Sequence, residues 1–174
     1  MNEQILDVIA NVAIALAGFS GLVVVFRSRG SRGWSATELR FLWFLIGDSL
    51  LVLLFALLPF PMSLANWSQD TIWAIGNSLL GTWFFIGNVL AVRGDIRDRR
   101  LHRESGVRFA SPALFLIYAG ALLMSVGMWL SALDIGLQRG QAMYVFGLVV
   151  LLGFAAFEFL YFIGLMAKED AHSQ

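Results

Sequence analysis

Cysteine is absent from the chain, and its two histidines, His102 and His172, both fall in polar segments. Disulfides, thiolate metal sites and cysteine nucleophiles are thereby excluded, the redox compartment leaves no trace, and two distant histidines do not suggest a metal site. Charge is scarce too: Asp, Glu, Lys and Arg make up 14% of the residues, against about 25% in soluble domains. Enzyme signatures are missing, with no nucleophile elbow, no glycine-rich phosphate loop and no His-x-x-x-His in an apolar run. Gly18-Phe-Ser-Gly21 looks superficially like a serine motif, but no apolar run contains a histidine to activate Ser20, so it reads as a packing element. An enzyme is therefore disfavoured and no cofactor is expected.

What the sequence has instead is long hydrophobic runs, 59% of 174 residues being apolar. Such a chain needs lipid as its solvent. Residues 5–26, 39–58, 71–92, 112–133 and 141–166 form five runs of spanning length, broken by arginine, proline, glycine and acids. The expected fold is an all-α integral membrane protein, a bundle of five transmembrane helices forming one transmembrane domain over 1–174. Little remains for a separate soluble domain. The leader MNEQ has no positive charge and the first run ends at Arg27-Ser-Arg29, the wrong side for a cleaved signal, so a retained first span is expected.

The helix edges carry their own signals. Ser35-Ala-Thr-Glu38 is a capping-box pattern ahead of the second run, and Ser111-Pro112 offers an N-cap followed by proline at the first helical position. Pro59-Phe-Pro61 ends the second run, because proline has no amide hydrogen to give a helix interior.

Orientation follows from the connections. Arg27, Arg29, Arg32, Arg40, Arg93, Arg97, Arg99, Arg100, Arg103, Arg108 and Lys168 all fall on alternate connections and so on one side, and only Arg139 of the twelve basic residues falls on the other. The positive-inside rule then places the N-terminus outside and the C-terminus in the cytoplasm of a plasma or inner membrane. Trp67, Trp73, Trp129 and Tyr144 gather at the basic-poor ends, where an outer aromatic belt is expected.

An aspartate at the centre of a membrane helix costs about 2.5–3.5 kcal/mol on insertion scales, so ionisable groups inside the runs are the first candidates for function. Asp48 stands nine residues after Leu39 and Glu158 eight before Met166. At 1.5 Å per residue both lie roughly 12–14 Å from the cytoplasmic side, in one layer. If their helices face one another, the two form a carboxylate pair, which needs a shared proton or a cation between them. The competing reading is that both are protonated or bonded to neighbours such as Ser49 or Thr82 and merely hold helices together.

Asp7, Asn11, Gly18 and Gly21 fall near one face of the first run, and Asn77, Gly81 and Asn88 near one face of the third. With Asp48 and Glu158 they can line a polar path, although small residues at such spacings are also the ordinary mark of tight helix packing, as in the series Ala13, Ala17, Gly21. In the connection from Arg93 to Arg108, Asp95 precedes Arg99 by four residues, supporting a helix that extends the third run. Arg97, Arg99, Arg100 and Arg103 there are candidates for contact with anionic lipid headgroups, or they set topology alone.

The function expected from these features is cation or proton translocation by a homo-oligomer, since five short-looped helices enclose little interior. The alternatives are a non-transporting anchor or accessory subunit and, third, a lipid-modifying membrane enzyme. The expected partners are the bilayer, a second copy or another membrane subunit, and no nucleic acid.

Overall fold

The computed structural model describes residues 3–28, 36–101 and 112–171, which contain six helices and no strand. The helices are α1 (Glu3–Ser28), α2 (Ala36–Leu57), α3 (Pro59–Leu64), α4 (Gln69–Leu101), α5 (Pro112–Leu133) and α6 (Gln141–Ala171). Five segments are long and apolar enough to cross a membrane: Gln4–Leu22, Leu42–Leu64, Gln69–Gly94, Leu116–Leu133 and Gln141–Leu160. The short α3 is the addition to the expected five. The backbone turns at Leu58 after its amide has bonded Leu54 O at 2.9 Å, and Pro59 starts a new helix at the position where its missing N–H costs nothing.

The other boundaries have local causes. Ser68 caps α4: its Oγ accepts from the Thr71 amide at 3.2 Å, and Ile72 N donates to Ser68 O. At its far end α4 continues past the expected limit to Leu101, in keeping with the Asp95 and Arg99 spacing. Pro112 opens α5, while Ser111, Ser35 of the capping box, Glu104, Arg103 and Arg108 lie outside the described residues. So do the side chains of Arg97, Arg99 and Arg100, although these residues belong to α4.

α5 closes on a left-handed residue, Asp134 at φ 59°, with Asp134 N bonded to Ser131 O at 3.2 Å and Ile135 N to Leu130 O at 2.9 Å. These are the paired bonds of a Schellman cap. Asp134 Oδ1 then accepts from the Arg139 amide, and Arg139 Nε donates to Ala132 O at 2.9 Å. Arg139, the basic residue on the otherwise basic-poor side, thus neutralises the carbonyl end of α5 and closes the loop into α6.

The chain divides into two compact units, Met1–Met62 with Leu148–Gln174 and Ser63–Gly147. In the first, α1 packs along α2, with Leu6, Ile9, Ala13 and Leu45, Val52, Ala56 buried. The later half of α6 joins them where the Phe19 and Phe159 rings meet at 6.4 Å. In the second, α4 packs along α5 and against the start of α6.

The surface is inverted relative to a water-soluble protein. Ser20, Ser49, Asn77, Ser125 and Ser131 are fully buried, whereas Trp43 is 74% and Leu123 73% exposed. Large apolar side chains on the outside and small polar ones between helices suit a hydrocarbon surrounding, in which apolar contact with solvent costs nothing and polar groups must find partners within the protein.

Candidate functional site

Asp48 and Glu158 both belong to the first unit. Asp48 projects from the middle of α2 and Glu158 from the later half of α6, and the two carboxylates lie within Coulombic reach of one another. Both residues are half-buried. Glu158 Oε2 is fully buried and has no hydrogen-bond partner among the described residues, and Ser49 Oγ, on the residue after Asp48, is in the same position. The ring contact between Phe19 and Phe159 fixes α6 against α1 one residue from the carboxylate.

Two like charges near one another repel, and the repulsion is relieved by a proton or a cation. The arrangement can therefore take up and release positive charge. No group of three or more His, Cys, Asp or Glu residues suited to a metal ion occurs among the described residues.

Asp7 and Asn11, on α1 in the same unit, are exposed rather than turned toward α2. Gly18 and Gly21 share their outward position, and a Cβ added at either would meet nothing within 4 Å. The structure therefore does not bring Asp7 and Asn11 to the carboxylate pair.

Asn77 and Asn88 belong to the second unit and bind backbone. Asn88 Nδ2 donates to Tyr118 O at 2.9 Å, and the buried Asn77 donates to Gly140 O across a long 3.5 Å. Their Oδ1 atoms are buried without a partner. Between them Gly81 lets α4 and α5 approach closely: a Cβ there would stand 3.1 Å from Ser125 O, Met128 Cβ and Trp129 Cδ1. Ser125 uses the approach, its Oγ donating to Gly81 O at 2.8 Å, and Trp129 Nε1 donates to Thr82 Oγ1 at 3.3 Å. Thr82, weighed from sequence as a partner for the carboxylates, instead donates to Ser78 O at 2.7 Å.

The aromatic residues expected at an outer belt are largely drawn inward. Trp73 and Tyr144 are buried with their rings 5.7 Å apart, the Tyr144 ring lying over Gly76, and Trp129 packs on Phe85 at 5.6 Å. Trp67 keeps a large exposed surface. Ring size made all four look alike in sequence; helix contacts separate them.

Comparison with known proteins adds no relative. No family model matches the chain, and neither the curated proteins nor the solved structures contain a similar one.

Ser125 is the residue that sequence reasoning passed over. A lone serine in an apolar run is its signal, because such hydroxyls bond across helices. Gly81 O also lies within a continuous helix, so removing the hydroxyl leaves the carbonyl a helical partner. Ser125→Ala is accordingly expected to cost about 0.6–1.7 kcal/mol, read by reversible unfolding in mixed micelles. Unchanged stability would show that the bond contributes nothing net.

Proposed function

We propose that the chain is an integral membrane protein that translocates a cation or proton, using the Asp48 and Glu158 pair. The observation that carries this reading is the buried Glu158 Oε2 without a partner beside a second carboxylate. Helix adhesion gains most when each polar group is satisfied, and an unpartnered carboxylate oxygen wastes that gain. A site that cycles charge must instead leave room for an occupant. The test is flux into liposomes holding the purified protein, with proton, sodium and potassium gradients imposed in turn. Absence of any flux above that of empty liposomes would defeat the proposal.

The membrane is the plasma or inner membrane, with the N-terminus outside, as the distribution of arginines supports. A pathway forms between copies, because exposed Asn11 on α1 leaves an amide for a neighbouring helix to satisfy. Arg97, Arg99, Arg100 and Arg103 supply positive charge that attracts anionic headgroups on the cytoplasmic side.

A second reading, an anchor or accessory subunit, is favoured by the second unit. There Ser125, Asn88, Trp129 and Thr82 all spend their donors on bonds within the unit. Those groups fasten helices and offer no pathway.

The cysteine-free chain makes orientation easy to test, because each introduced thiol is the only one present. Single cysteines replacing Ser63 and Ile135 are expected to react with an impermeant reagent added outside intact cells. Those replacing Ser31, Ser105 and His172 are expected to react only after lysis. A thiol at 105 labelled from outside would overturn the N-out arrangement and every depth built on it.

A further inference from the structure

We infer that the species handled at the Asp48 and Glu158 pair is the proton rather than a metal cation, an assignment that rests on the translocation reading above. The reason lies in the backbone around the pair. A dehydrated metal cation needs a shell of oxygens, about six to eight for calcium, and membrane transporters supply many of these from carbonyls freed where a helix is unwound. Here α2 is continuous over Ala36–Leu57, α6 over Gln141–Ala171 and α1 over Glu3–Ser28. The carbonyls flanking Asp48 and Glu158 are therefore committed to the helices' own hydrogen bonds.

Side chains do not make up the shortfall. Among the described residues no third acidic, histidine or cysteine ligand joins the pair. The buried hydroxyl of Ser20 on α1, in the same unit, already donates to Leu16 O at 2.7 Å. Ser49 adds one buried oxygen beside Asp48. The nearest basic residues along the helices that carry the pair are Arg40, eight positions before Asp48, and Lys168, ten after Glu158, while α1 has only Asp7 as a charged residue between Gln4 and Leu22. In the sequence no basic residue lies within one turn of either carboxylate on its own helix.

A proton needs no coordination shell. Loading forms one O–H bond at a carboxylate oxygen; transfer breaks that bond as a second forms on the other carboxyl group; release restores the starting charge. No electrons move and no co-reactant is required. The buried and unpartnered Glu158 Oε2 is an oxygen to which such a proton can bind, and the Asp48 carboxylate, within Coulombic reach, is the second titratable group on the path.

The experiment uses purified full-length protein in liposomes, with potassium inside and valinomycin setting an inward-driving potential. An internal pH-sensitive dye reads proton entry, and radioactive sodium, which valinomycin does not carry, reads metal-cation entry in parallel. The expected result is proton entry that persists when external sodium is replaced by N-methylglucamine, with tracer uptake no higher than in empty liposomes. Glu158→Gln should bring proton entry to the empty-liposome level, while Glu158→Asp, which keeps a titratable carboxyl group, should retain part of it. Both variants must elute as the parent does in gel filtration. Tracer uptake that disappears in Glu158→Gln would overturn the proton assignment and leave translocation standing. Neither proton nor tracer flux would overturn both. Equal and complete loss in Glu158→Asp and Glu158→Gln would overturn the requirement for a titratable group.

Discussion

Asp48→Asn and Glu158→Gln are each expected to abolish flux in proteoliposomes while leaving expression and oligomeric state nearly intact. An amide keeps the shape of the carboxyl group and its capacity for hydrogen bonds, but it cannot cycle charge. Because the two groups are coupled electrostatically, their effects should not add: once either carboxylate is gone the site is lost, and the double variant should be no worse than a single one. The adhesive reading leads to the opposite pattern. If the pair only fastens α2 to α6, each amide removes an ionisable group from a hydrocarbon setting and the variants should melt higher than the parent. Parent protein that conducts nothing over a range of pH and cations, together with higher-melting amide variants, would leave the accessory-subunit reading in possession.

The largest loss of stability is expected at Gly81. An alanine there would set its methyl group 3.1 Å from the Ser125 backbone oxygen and from Met128 Cβ, atoms that move only with α5 itself. Leucine goes further, driving α4 and α5 apart and stretching the Ser125 Oγ bond to Gly81 O beyond its 2.8 Å. Overpacking costs about 1–3 kcal/mol, and an interhelical bond adds about 0.6–1.7 kcal/mol. Gly81→Leu should therefore destabilise the second unit by about 2–4 kcal/mol in reversible unfolding, and Gly81→Ala by less. Gly18→Leu is the control: a Cβ there meets nothing within 4 Å, and the same substitution should be nearly neutral. Equal losses at both positions would show that the α4 and α5 contact does not govern the response.

Gly18 and Gly81 show how far a sequence can be read. Each stands on an asparagine-bearing face of an apolar run, and that pattern does not tell them apart. One lies at a helix crossing with backbone against it, the other on an open surface. The same holds for Asn11 and Asn77, each on a glycine-bearing face, of which one is exposed and the other wholly buried. Periodicity identifies a face of a helix but not what that face meets, because an apolar run in lipid has apolar neighbours on every side and carries little amphipathic signal.

The five long helices follow from the sequence alone, because backbone amides in an apolar chain must be satisfied within each segment and about 20 residues suffice to do so across hydrocarbon. The interruption at Pro59 and the proline start of α5 were legible for the same local reason, the missing amide hydrogen. Only tertiary structure decided that Asp48 lies within Coulombic reach of Glu158, that Asp7 and Asn11 are exposed, and that Ser125 and Asn88 close on the backbone of a neighbouring helix. These outcomes depend on which helices pair and how they are rotated about their axes. Small residues and close packing set that rotation, through contacts between positions far apart in the chain.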